Sequence, residues 1–208
     1  MRRLVHGLAL ALGLVAVHGG SCTARAHFSA NPEWPQAHRK LHQLFPTADP
    51  NGWKIKRHRF DDEQAAALEK QLKYALYPAD RDAVFYIAQD REGQLLGVAV
   101  LLDPRPTPKV VDGAVVPLEV GVAVDAKGSI QRMHVYGEAG KSALGEATFL
   151  DQFIGRTLGC TFKLGKKTGL QPAPDAEDSQ LVANAARESL LLMNLALGRG
   201  APLPACPK

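Results

Sequence analysis

Cysteine is scarce in this chain, three in 208 residues, and no two of them stand in a CxxC or CxxCH arrangement. Thioredoxin-like dithiol chemistry and covalent c-type haem are excluded by those motifs. The nucleophile motif GxSxG is missing as well, as are internal repeats and long low-complexity stretches. Phosphate-binding loops fail on spacing. Gly137-Glu138-Ala139-Gly140-Lys141-Ser142 ends like one, but the glycine needed five residues before Gly140 is Val135, and before Gly165-Lys166-Lys167 that place is Cys160. His38 and His42 lie one helical turn apart, yet no third ligand accompanies them, so they read as surface histidines of an amphipathic helix and no metal site is assigned.

No apolar run is long enough for an ordinary membrane span. Leu4 to Val17 would rise only about 21 Å as a helix, against a hydrocarbon core of roughly 30 Å. It follows Arg2 and Arg3 and precedes Ala24-Arg25-Ala26, the pattern of a secretory signal over residues 1–26. The mature chain then starts at His27, and its expected place is periplasmic or secreted. An uncleaved anchor is the less favoured use of the segment; a lipidated Cys22 is disfavoured because Gly19-Gly20-Ser21 lacks the large aliphatic residue that lipoprotein signals carry.

Cleavage changes the charge. The first 26 residues hold Arg2, Arg3 and Arg25 and no acid, so three of the 25 basic residues leave, and 22 remain against 21 acidic ones. A nucleic-acid footprint needs Lys and Arg clustered on one face, which this balance does not offer. The one basic cluster, Lys54, Lys56, Arg57, His58 and Arg59, reads as a solvated strand or loop. Cys160 and Cys206 are left as an even pair in an oxidising compartment. A disulfide from the C-terminal tail to the domain is one expectation; the sequence does not fix whether the two Cα atoms come within about 7 Å.

Periodicity gives the elements. Residues 35–45 predict a helix with Ala37, Leu41, Leu44 and Phe45 on its apolar side, ended by Pro46, and residues 62–76 a second one, capped by Asp61 or Asp62 and carrying Ala66, Leu68, Leu72, Ala75 and Leu76. Two hairpins follow: Ala83 to Gln89 with Gln94 to Leu102 about the turn Asp90-Arg91-Glu92-Gly93, and Pro117 to Val124 with Ser129 to Tyr136 about Asp125-Ala126-Lys127-Gly128. Alternation in the last strand sets Ile130, Arg132, His134 and Tyr136 on one face, Gln131, Met133 and Val135 on the other. A stiff proline-rich loop covers residues 104–108. Ser179 to Leu197 is a helix-former run whose start Asp178 or Ser179 can cap, with Leu181, Val182, Ala185, Ala186, Leu190, Met193 and Leu197 buried. The fold class is α+β: a single domain with an antiparallel sheet of hairpins packed against helices. Its parts are an N-terminal helical region over 27–82, a domain over 83–197 and a tail over 198–208.

The order strand, glycine turn, strand, a loop bearing Glu138 and Gly140, then Phe149-Leu150-Asp151-Gln152-Phe153-Ile154-Gly155-Arg156-Thr157, a linker and a helix resembles the FMN-binding domain of the C subunit of sodium-pumping NADH:quinone oxidoreductase and of the G subunit of the Rnf complex. The resemblance runs from Ala83 to Leu192. It implies FMN as cofactor, an electron-transport role, and a redox protein partner at the membrane; it places Glu138, Gly140 and Lys141 near the flavin ring or phosphate, Phe149 and Phe153 over a ring face, and Ser179 at a family hydroxyl. In the membrane-complex members a threonine before the last helix is esterified to the FMN phosphate; here that place is Ala176, amid Asp175, Glu177 and Asp178. An alanine cannot form the ester. Two readings follow from the resemblance: an exported carrier with noncovalent FMN, or a non-catalytic relative without flavin that serves a redox system as a binding or assembly module.

Overall fold

Two aspartates set the two hairpin turns of the sheet. The Asp90 carboxylate accepts from the Gln94 amide at 2.7 Å, and that of Asp125 accepts from the amides of Lys127 and Ser129 at 2.7 and 2.9 Å. Gly93 and Gly128 close these turns with φ of +78° and +87°, which L side chains rarely adopt. The computed structural model describes residues 34–76, 78–103, 110, 111, 114, 115, 118–137, 139–174, 176–197 and 206. Residues 1–26, expected from the sequence to be a targeting signal, the 104–108 loop, Glu138 and Asp175 lie outside them.

The chain runs α1 (Trp34–Leu44), β1 (Trp53–Arg59), α2 (Asp62–Leu72), β2 (Asp82–Gln89), β3 (Leu95–Leu102), the two-residue pair β4 (Val110–Val111) and β5 (Ala114–Val115), β6 (Glu119–Val124), β7 (Ile130–Tyr136), α3 (Ala147–Leu150) and α4 (Ser179–Ala196). The main sheet has the order β1-β2-β3-β6-β7, antiparallel throughout. An α+β fold with an antiparallel sheet is therefore what forms. The basic cluster forms β1, an edge strand paired with β2 from Trp53 opposite Ala88 to Arg59 opposite Asp82, so the segment before residue 83 belongs to the same sheet. Lys54, Lys56, Arg57 and Arg59 are exposed on that edge, where charge discourages pairing with foreign strands.

Helices cover both faces of the sheet, which is why β2, β3 and β6 are almost continuously apolar. On one face Ala37, Leu41, Leu44 and Phe45 of α1 and the turn after it pack on Val84, Tyr86, Ala99, Leu101, Ala123 and Tyr136. Gly97 makes that approach possible: a Cβ there would lie 2.3 Å from the Val124 carbonyl oxygen and 2.9 Å from the Phe45 ring. On the other face α4 crosses β3, β6 and β7, with Phe60, Leu68, Phe149, Phe153 and Phe162 closing the larger core. Lys56 Nζ donates to the Ala196 carbonyl at 3.4 Å, a cation at the negative end of α4. Among the described residues no helix is long and apolar enough to cross a membrane.

Three sequence expectations need correction. The second helix stops at Leu72, not at residue 76: Lys73 takes a left-handed conformation at φ 67°, and the Leu76 amide turns back to the Glu69 carboxylate at 2.9 Å. Ile130 does not share a face with Arg132 and His134. The pairing of Ala123 with Arg132 and Val124 with Ile130 skips Gln131, and this bulge turns Ile130 into the larger core beside Met133 and Val135. At the start of α4 neither Asp178 nor Ser179 caps with its side chain: Asp178 makes no such bond, and the Ser179 hydroxyl is engaged behind the helix. Asp61 does cap α2, in a reciprocal box with Gln64.

Candidate functional site

The segment from Gly137 to Thr157 is held to the sheet by its backbone. Two single turns of 3-10 helix, Ala139–Lys141 and Ala143–Gly145, are separated by Ser142, whose hydroxyl donates to the Ala139 carbonyl at 2.6 Å and accepts from the Leu144 amide at 3.3 Å. Glycine is required at two places. A Cβ on Gly140 would lie 2.1 Å from the Val135 carbonyl oxygen, and one on Gly145 1.9 Å from that of Gly140. Farther on, Gly155 donates to the Ile130 carbonyl at 2.8 Å and the Ile130 amide to that of Arg156 at 2.9 Å, which fastens the FLDQFIGRT turn to the start of β7. Gln152 then grips the following loop, accepting from the Gln171 amide at 2.7 Å and donating to its carbonyl at 3.3 Å.

The residues expected to touch a flavin fall in several settings. Gly140 sits in the crossing just described, and Lys141 beside it is exposed. Phe149 and Phe153 lie in the larger core at 2 % and 0 % exposure, edge to face at 5.5 Å, and Phe153 stacks on Phe162 at 6.4 Å. Their spacing of four suits a ring-covering pair equally well, and in this structure both rings pack into the larger core. Each such ring contributes roughly 1.5–3 kcal/mol to stability by leaving water. Ser179, at 2 % exposure, donates its hydroxyl to the Ala176 carbonyl at 2.7 Å and accepts from the Ala173 amide at 3.0 Å. Glu138 lies outside the described residues.

Tested against an FMN phosphate, the start of α4 does not fit. Position 176 carries a methyl group, so no ester can form there. The nearest hydroxyl, on Ser179, is buried and bonded on both sides, and Glu177 and Asp178 bring negative charge where a helix N-terminus would otherwise attract an anion. Among the described residues no group of three or more His, Cys, Asp or Glu is placed to hold a metal ion.

A polar cluster that sequence reading did not single out lies on the α1 face. The Lys40 ammonium pairs with the Glu119 carboxylate and stands 5.3 Å over the Tyr136 ring, whose hydroxyl donates to the Lys40 carbonyl at 2.8 Å. Glu119 Oε1 is buried without a donor among the described residues. Burial and the Glu119 charge push the Tyr136 hydroxyl well above the ordinary phenol range, and burial pushes Tyr86 up to about 12, so both stay protonated. His134, 4.6 Å from the Tyr136 ring, is half-buried, and its desolvation lowers its pKa. An open cleft of about 360 Å³ adjoins the cluster, lined by Arg39, Lys40, Gln43, Tyr136 and Gly137. Lys40, Glu119, His134 and Tyr136 stand on α1, β6 and β7, so only the tertiary fold reveals the grouping.

No family model and no curated protein matches the chain. Among solved structures it is similar to NqrC of Shewanella oneidensis, with 14 % identity and a TM-score of 0.44 over 76 % of this chain and 92 % of that one, a likeness too distant to carry a function across.

Proposed function

We propose that this chain is an exported protein built on the plan of the FMN-binding domain, serving a membrane redox system, with any flavin held without a covalent bond. One observation carries the reading: the Gly140 and Gly145 crossing, the Phe149 to Thr157 turn and α4 assemble against the β6–β7 hairpin in the order that the FLDQFIGRT resemblance implies. The disulfide between Cys160 and Cys206 supports export to an oxidising compartment. A second reading, a relative that has lost flavin and works as a binding or assembly module, is favoured by the buried phenyl rings and the engaged Ser179 hydroxyl.

Titration of the mature chain with FMN separates the two. Saturable quenching of flavin fluorescence with one site per chain is the expected outcome of the first reading. A chain that stays colourless and leaves FMN fluorescence unchanged after refolding in excess flavin overturns it and leaves the second.

A further inference from the structure

The bond between Cys160 and Cys206 has two unlike ends. Its Cα atoms are 4.8 Å apart across a sequence separation of 46. Cys160 is 8 % exposed, within the larger core, whereas Cys206 is exposed. The buried sulfur faces hydrogen-bond donors. The Thr157 amide donates to Cys160 Sγ at 3.5 Å, and because a disulfide sulfur bears no proton, the buried Thr157 hydroxyl, 3.9 Å away, is the donor in that contact too. Arg156, next in the same turn, donates to the Thr161 carbonyl at 3.2 Å and so brings a guanidinium beside the residue that follows Cys160.

We propose that this disulfide is a thiol-exchange site of fixed polarity, at which a small thiolate of the glutathione class attacks Cys206 Sγ and Cys160 departs as the thiolate. The incoming sulfur must approach in line with the S–S bond, and only the Cys206 end is open to solvent. As the new bond to Cys206 forms, the electron pair of the old one stays on Cys160 Sγ, where the Thr157 donors stabilise the growing charge; a leaving thiol favoured as its anion leaves faster. The products are a mixed disulfide on Cys206 and a free Cys160, with no other oxidant or reductant required. The modification site is thus Cys206, and its consequence is loss of the covalent link between Cys206 and the core. The inference does not depend on flavin.

The test uses the folded full-length chain in excess reduced glutathione, quenched in acid at early times, unfolded, alkylated and mapped by peptide mass spectrometry, which also separates any signal from Cys22. The expected map carries glutathione on Cys206 and the alkyl group on Cys160. Glutathione on Cys160, an even split, or exchange only after denaturant is added overturns the proposal. Thr157→Val slows the exchange by roughly three- to tenfold, and Thr157→Ser restores it; an unchanged rate in Thr157→Val removes the donor argument and with it the proposal. Should Thr157→Val fail to fold, the wild-type map decides alone.

Discussion

Ser179 shows how one hydroxyl can serve a fold rather than a ligand. It links the Ala173 amide to the Ala176 carbonyl and pins the loop that precedes α4. Ser179→Ala leaves the buried Ala173 N–H without its acceptor, so urea unfolding is expected to show a loss of about 1–3 kcal/mol. His134 gives stability a pH dependence. Its folded-state pKa lies below the ordinary 6.5 because desolvation opposes its charge. Above that value both states are neutral and nothing is lost; as pH falls through it the unfolded chain protonates first, and stability declines. Unfolding series between pH 8 and pH 5 should show this decline, and His134→Gln should flatten it; an unchanged slope would count against the assignment. Which hydroxyl or ring is spent inside the core was not legible from residue type, because Phe149, Phe153 and Ser179 have the same chemistry whether they face a ligand or a neighbour.

Elements are more legible in the sequence than their ends. Both hairpins were visible because Asp90 with Gly93 and Asp125 with Gly128 leave a turn signature, and α1 because Ala37, Leu41, Leu44 and Phe45 keep one helical face. The bulge at Gln131 left no such mark, since skipping one residue depends on the partner strand. The end of α2 is hidden in the sequence for a related reason: its left-handed closing position is occupied by Lys73, where a glycine would announce the stop. Lys73→Gly is accordingly expected to stabilise the protein by roughly 0.5–1 kcal/mol, the relief of the left-handed backbone less the added freedom of the unfolded chain. Thermal unfolding checks it, and a lower midpoint would refute the argument. β1 was readable only as a solvated strand or loop, because its basic residues are compatible with either.

For the whole molecule, the sequence offers a crosslink between Cys160 and Cys206 as one expectation, and the fold brings their Cα atoms to 4.8 Å. Cys206→Ser removes it and is expected to lower stability by about 2–4 kcal/mol, the range for closing a loop of this length, as measured by denaturant unfolding against the oxidised parent. A parent unfolded in reductant should match the variant. The crosslink also decides how the protein answers a mechanical load. Tension applied at the C-terminus passes at Cys206 straight to the turn after Gly155, and from there through the Ile130 backbone bonds into β7, so α4 sits in a slack, bypassed arm of the chain. Anything that tugs on the tail therefore strains the sheet margin first and leaves the last helix undisturbed.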